Sequence, residues 1–133
     1  MKRLILVGLT ALTVQAEPSA TWWRAIHQVE TSGRTGPIRG DGGRSLGPLQ
    51  ISRAYWLDSR VPGRWSDCAS LAYSRRVTTA YMQRYAPVAW RTGDHKTLAR
   101  IHNGGPRGHR KRATRGYWLR VSALIQRYER NAD

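Results

Sequence analysis

The sequence predicts a mostly helical α+β domain of about five helices, with a small β-hairpin directly after the first helix of the mature chain. Apolar residues recur at helical rather than strand spacing, as at Trp22, Ile26 and Val29 and again at Tyr117, Val121, Leu124, Ile125 and Tyr128. The stretch 33–47 carries six glycines, which rules out a helix and favours a hairpin. Turn signals at Val61-Pro62-Gly63 and Asn103-Gly104-Gly105-Pro106 separate the helical stretches, and no long linker or repeat intervenes.

The elements follow in order. Met1-Lys2-Arg3 is a short basic start, followed by an apolar run of eleven residues from Leu4 to Val14. Val14-Gln15-Ala16 has the compact residues that a signal peptidase needs. Residues 1–16 are therefore expected to be a secretory signal peptide. A bilayer span needs about twenty apolar residues, so no stable membrane anchor is expected. Residues 17–133 make one domain, placed outside the cell or in the periplasm. Ser19 is positioned to cap a first helix from about Ala20 to Thr31, with Gly33 as its stop. Ser52 caps a second, Arg53 to about Ser59. Asp67 is expected to cap a long third helix reaching about Tyr85, before Pro87. Asp94 precedes a fourth, which ends at the Gly-Gly-Pro turn. The fifth follows Arg107 to Arg115, which holds five Arg or Lys and one His. Cys68 is the single cysteine, so no intrachain disulfide can form and it reads as a small buried hydrophobe. Six Trp and six Tyr supply the bulk of the core instead.

Only eight carboxylates occur in 133 residues, and Glu30 and Asp41 are the only two between Glu17 and Asp58. Glu30 falls in the last turn of the first helix, four residues on from Ile26, so it flanks the apolar face. Apolar surroundings and the negative end of the helix dipole both favour its keeping a proton, as a donor to a leaving oxygen must. Asp41, in Gly40-Asp41-Gly42-Gly43-Arg44, sits at a hairpin tip where amides and water favour the ionised form. Such a pair is what glycoside hydrolysis requires. Each residue alone is ordinary, since Asp-Gly is above all a turn signal.

The residues after Asp41 add weight. Ser45-Leu46-Gly47-Pro48-Leu49-Gln50-Ile51-Ser52-Arg53-Ala54-Tyr55-Trp56 resembles the segment that follows the acid helix in invertebrate-type, destabilase-like lysozymes. Tyr81 to Tyr85, Ala99 to Pro106 and Tyr117-Trp118 continue the resemblance in the same order, so that it covers roughly Val29 to Val121. It implies a lysozyme-like fold and a muramidase that cuts the β-1,4 bond between N-acetylmuramic acid and N-acetylglucosamine. It further implies Glu30 as general acid, Asp41 as second carboxylate and retention of configuration. Ser45, Gln50, Tyr55, Tyr85, His102 and Asn103 match cleft or scaffold positions and are expected to bind substrate. The chain departs from the family in its single cysteine and in small gaps on both sides of Asp41. If Asp41 fails to match, a lytic transglycosylase using Glu30 alone becomes the alternative.

The remaining candidates are plainer. Without the resemblance, His102 and Asn103 would read as helix-end residues satisfying free carbonyls. His27, His95, His102 and His109 show no ligand spacing, so neither a metal nor a cofactor is expected. Trp22 and Trp23 are expected in the core, whereas one of Tyr55 and Trp56 should face sugar. The net charge is +15, or +13 without Lys2 and Arg3. It implies attraction to polyanions, foremost an anionic cell-wall surface carrying peptidoglycan polysaccharide. A non-catalytic nucleic-acid-binding protein, with 107–115 as its arm, is the rival of another class. Export, scattered arginines and the lack of an aromatic-basic motif weigh against any specific nucleic-acid partner. A monomer is expected, with action on cell walls that weakens steeply as salt rises.

Overall fold

The computed structural model describes Gly8 and residues 17–132, so the expected signal peptide lies outside the described residues but for Gly8. The described residues form six helices and a small sheet. Helix α1, Ala20–Thr31, starts where the Ser19 hydroxyl accepts the Trp22 amide and stops where Ser32 turns left-handed at φ 56°. Strands β1 (Arg39–Gly40), β2 (Ser45–Leu46) and β3 (Ile51–Ser52) form an antiparallel sheet in that order. Arg39 pairs with Leu46 and Gly40 with Ser45; Leu46 then pairs with Ile51 and Ser45 with Ser52. The hairpin is thus widened by a third strand, two residues long, which runs straight into the Ser52 cap of α2, Arg53–Ser59.

Helix α3, Leu71–Tyr85, departs from expectation at its start. Its cap is Ser70, whose hydroxyl accepts the Tyr73 amide. Asp67 instead closes a 3-10 turn, Trp65–Ala69, by accepting the Arg64 amide at 2.8 Å. An Asp can satisfy a turn as readily as a helix start, and the nearer Ser takes the cap. Pro87 stops α3 and also begins a further short helix, α4 (Pro87–Thr92), because a missing N–H costs nothing at a first helical position. Asp94 caps α5, His95–Gly104, through the Thr97 amide. Helix α6, Arg115–Arg130, closes the chain.

Helix α6 packs along α1 and α5, and α2 along α3. Trp22, Ile26, Leu46, Leu49, Ile51, Cys68, Val77, Met82, Leu98, Ile101 and Val121 are buried where these elements meet. Each large aliphatic side chain so buried contributes about 1.5–3 kcal/mol of transfer free energy. Burial pushes the Cys68 thiol up to about 12, which leaves it inert. Arginine is accommodated on rings rather than on acids. Arg24 lies 3.9 Å from the Tyr128 centroid, Arg75 4.7 Å from that of Trp23, Arg39 4.8 Å from that of Trp65 and Arg84 5.0 Å from that of Tyr85. Among the described residues, Arg44 with Asp41 is the only arginine within ion-pair distance of a carboxylate.

His95 ties the two ends of this packing. Its Nε2 accepts the Ser19 amide at 3.2 Å, and its carbonyl accepts the Trp22 indole N–H at 3.1 Å. An accepting Nε2 carries no proton, and burial lowers the His95 pKa from 6.5. The unfolded chain therefore binds the proton more readily than the folded one. The stability this contributes is present above about pH 6.5 and is lost as the pH falls through the folded value. Thermal melts from pH 8 to pH 5 should show a decline that becomes shallower in His95→Gln, whose amide oxygen accepts without titrating.

Candidate active site

The last turn of α1, the β1–β2 tip and the end of α5 converge on one cleft of about 330 Å³. Glu30, Asp41, Ser45, Gln50, His102 and Asn103 line it. Glu30 reaches it from a largely covered position, its side chain 18% exposed. The helix end that carries Glu30 is tied to the far side of the hairpin by the buried Thr31 hydroxyl, 2.9 Å from the Pro48 carbonyl.

Asp41 stands opposite in character. It adopts φ 53°, a left-handed conformation that Asp tolerates better than most residues, and its side chain is 70% exposed. Arg44 lies 3.9 Å from its carboxylate and donates to its backbone carbonyl at 3.2 Å. Gln50 braces this tip from beneath. Its amide donates to the Ile38 and Gly47 carbonyls at 3.1 and 2.9 Å, and its oxygen occupies the space where a side chain on Gly40 would lie. Gln50 therefore sets the hairpin's position as well as lining the cleft.

His102 is almost wholly covered, its side chain 1% exposed, and its two nitrogens have distinct partners. Nε2 lies 3.0 Å from the Leu49 carbonyl, which can only accept, so Nε2 carries the hydrogen. Nδ1 lies 3.0 Å from the Tyr55 hydroxyl, whose proton is held by burial well above its ordinary range. Tyr55 donates, Nδ1 accepts, and the single N–H on the other side points at Leu49 with Glu30 Oε2 3.4 Å away. The ring is held between these two partners, with its Nε2 edge beside the Glu30 carboxyl. The Tyr55 ring is fixed in turn by stacking on Tyr81 at 3.7 Å. Tyr85 extends that stack, 4.8 Å from Tyr81, and is not among the side chains that line the cleft. Of Tyr55 and Trp56, Tyr55 packs inward behind His102, and the half-buried Trp56 donates its indole N–H to the Tyr73 hydroxyl.

The basic run 107–115 is folded against this assembly rather than extended. Two 3-10 turns, Gly108–Arg110 and Arg112–Thr114, carry it past the end of α5. Arg100 donates to the Thr114 hydroxyl and the Lys111 carbonyl at 2.9 and 2.8 Å, and Lys111 Nζ donates to Gly104 O at 2.6 Å. The lysine thereby satisfies a free carbonyl at the negative end of the helix that delivers His102 and Asn103.

The family model of Destabilase matches residues 22–124, most of the chain and all of the cleft. The chain belongs to the destabilase family. Among relatives within it, Lysozyme 1 of Crassostrea virginica is 51% identical over 81 residues, covering 59% of this chain and 44% of that protein. Lysozyme of Meretrix lusoria is 42% identical over 85 residues, covering 62% of this chain and 70% of that protein. The crystal structure of inhibitor-bound lysozyme from Meretrix lusoria superposes with a TM-score of 0.68 at 38% identity, over 78% of this chain and 88% of that one. Tapes japonica lysozyme gives 0.67 at 32%, over 80% and 92%. The destabilase fold here is accordingly lysozyme-like, with six helices and a small antiparallel sheet among the described residues. Sequence reasoning did not find three members of the destabilase site's support: Thr31, the Leu49 carbonyl and Gly40. None carries a chemical signature, because the Thr31 hydroxyl bonds a carbonyl seventeen residues away and the other two act through backbone position.

Proposed function

We propose that this chain is an exported muramidase that hydrolyses the β-1,4 bond between N-acetylmuramic acid and N-acetylglucosamine in peptidoglycan. The observation that carries the reading is the shared cleft, in which a covered Glu30 and a solvated Asp41 stand among polar side chains able to hold sugar hydroxyls. Glu30, held beside the covered His102 ring, donates its proton to the glycosidic oxygen as the bond breaks. The ring then gains oxocarbenium character, and Asp41 meets that charge and attacks C1, giving a retained product after water enters. As the leaving sugar departs, Glu30 becomes the base that activates this water. Relatives named lysozyme support the activity.

A second reading is favoured by one observation, the 70% exposure of Asp41 on a glycine-flanked tip. If Asp41 stands too far out to act, Glu30 alone performs a transglycosylation, in which the sugar's own hydroxyl closes an anhydro ring. Digestion of purified peptidoglycan separates the two. The expected result is muropeptides with free reducing ends, together with a loss of roughly 10²-fold or more in Asp41→Asn. Anhydro-sugar products and a nearly full rate in Asp41→Asn would establish the alternative.

A further inference from the structure

Lys96 and Arg100 lie one turn apart on α5, and Arg115 and Leu119 one turn apart on α6. Because α5 packs along α6, both pairs border one open cleft of about 410 Å³, with Trp118 in its wall. It shares no lining residue with the cleft that holds Glu30. No acid lines it, and among the described residues none of its three cations is within ion-pair distance of a carboxylate. Arg100 is already oriented by the bonds of its Nε and Nη2 to Thr114 and Lys111, whereas its Nη1 makes no hydrogen bond among the described residues. Leu119, 68% exposed, is barer than Leu57 or Val88, the other exposed large hydrophobic side chains among the described residues.

We propose that this cleft seats the phosphate headgroup of an anionic phospholipid and so docks the protein reversibly on a negatively charged bilayer. Lys96, Arg100 and Arg115 take the phosphates, Trp118 lies at the headgroup level that suits an amphipathic ring, and Leu119 reaches the acyl boundary. A phosphodiester polymer of the cell wall would satisfy the cations equally but would leave Leu119 in water, which is why the lipid is the better occupant. One leucine is a marginal anchor, so the cations and the apolar contact are needed together. No helix among the described residues is long and apolar enough to cross a membrane, and the attachment is peripheral. The proposal does not rest on the muramidase reading, because it concerns a different surface and a substrate-free assay.

The test is co-sedimentation of the full mature chain with vesicles of phosphatidylcholine, with and without phosphatidylglycerol. Binding is expected only with the anionic lipid. Lys96→Gln with Arg115→Gln should lower the partition coefficient about tenfold or more, at roughly 1 kcal/mol per basic residue at such a surface. Arg53→Gln with Arg60→Gln, which removes the same charge from exposed positions on and just after α2, should lower it less than about threefold. Leu119→Ser should lower it roughly fivefold. Melting curves of each variant exclude unfolding, and all five positions are exposed. Equal losses in the two double variants would reduce the effect to net charge and overturn the site. A silent Leu119→Ser, with Lys96→Gln and Arg115→Gln weakening binding to soluble poly(glycerol phosphate) as much as to vesicles, would overturn the lipid in favour of the wall polymer.

Discussion

Glu30→Gln is expected to abolish clearing of bacterial cells while leaving the melting temperature within a few degrees of the parent. The substituted amide fills the same space, and the bonds of His102 to Leu49 and Tyr55 do not involve this side chain, so neither the packing nor the hydrogen bonds of the covered site are lost. Under the proposed mechanism, what disappears is the carboxyl that would deliver a proton to the leaving oxygen from a covered position. Asp41 is no substitute, because it stands 70% exposed at the hairpin tip and is paired loosely with Arg44. Positioned general acids contribute roughly 10²–10⁴-fold, and loss of turnover on that scale is the expected reading in a turbidity assay. A variant that stays folded and retains a tenth of the parental rate would show that protonation comes from elsewhere.

Gly47→Ala should have the largest effect on stability. Gly47 adopts φ +81°, where an L side chain is strained by about 1–2 kcal/mol. The added carbon would also meet the backbone of Cys68, whose carbonyl oxygen and carbon, the latter 2.7 Å away, occupy that space. Neither side can yield cheaply. Gly47 donates to Ile38 O at 2.8 Å and accepts from Gln50, and the Cys68 carbonyl accepts the buried Ser74 hydroxyl at 2.7 Å. The sheet would have to part from the turn before α3, and Asp41 would move with it. Loss of more than about 2 kcal/mol is expected, seen as a fall of about 8 °C or more in Tm. Gly43→Ala is the control, since Gly43 has a similar φ of +89° and nothing within 4 Å. Equal losses in the two variants would mean that backbone strain alone explains Gly47.

Parts of the molecule were legible where the chemistry is local. Ser19 and Ser52 cap the helices expected of them, and Asp94 caps the helix it is expected to precede, because an N-cap needs only an oxygen and the next three residues. Asp67 was misread for the same reason: its oxygen suits the turn back to Arg64 equally well, and Ser70 stands closer to the helix. Pro87 was read as an end when it is both an end and a beginning. Strand β3 is two residues long and carries no alternation to detect. Within the cleft, the contrast between Glu30 and Asp41 could be read from their flanking residues. Their meeting with His102 could not, because seventy-two positions separate His102 from Glu30 and no periodicity spans that distance. The ordered resemblance supplied it. Tyr55 and Tyr85 show the remaining limit, since one ring supports His102 from behind and the other only extends the stack.

The arginines laid on tryptophan and tyrosine faces have a consequence for how this protein responds to ionic strength. A guanidinium on a ring keeps its full charge, so the molecule's own repulsion goes largely unrelieved. Added electrolyte therefore acts in two opposed directions, easing the strain of like charges within the folded chain while loosening its hold on any polyanion outside. The conditions expected to make the protein hardest to unfold are those expected to weaken the proposed attraction to an anionic surface most.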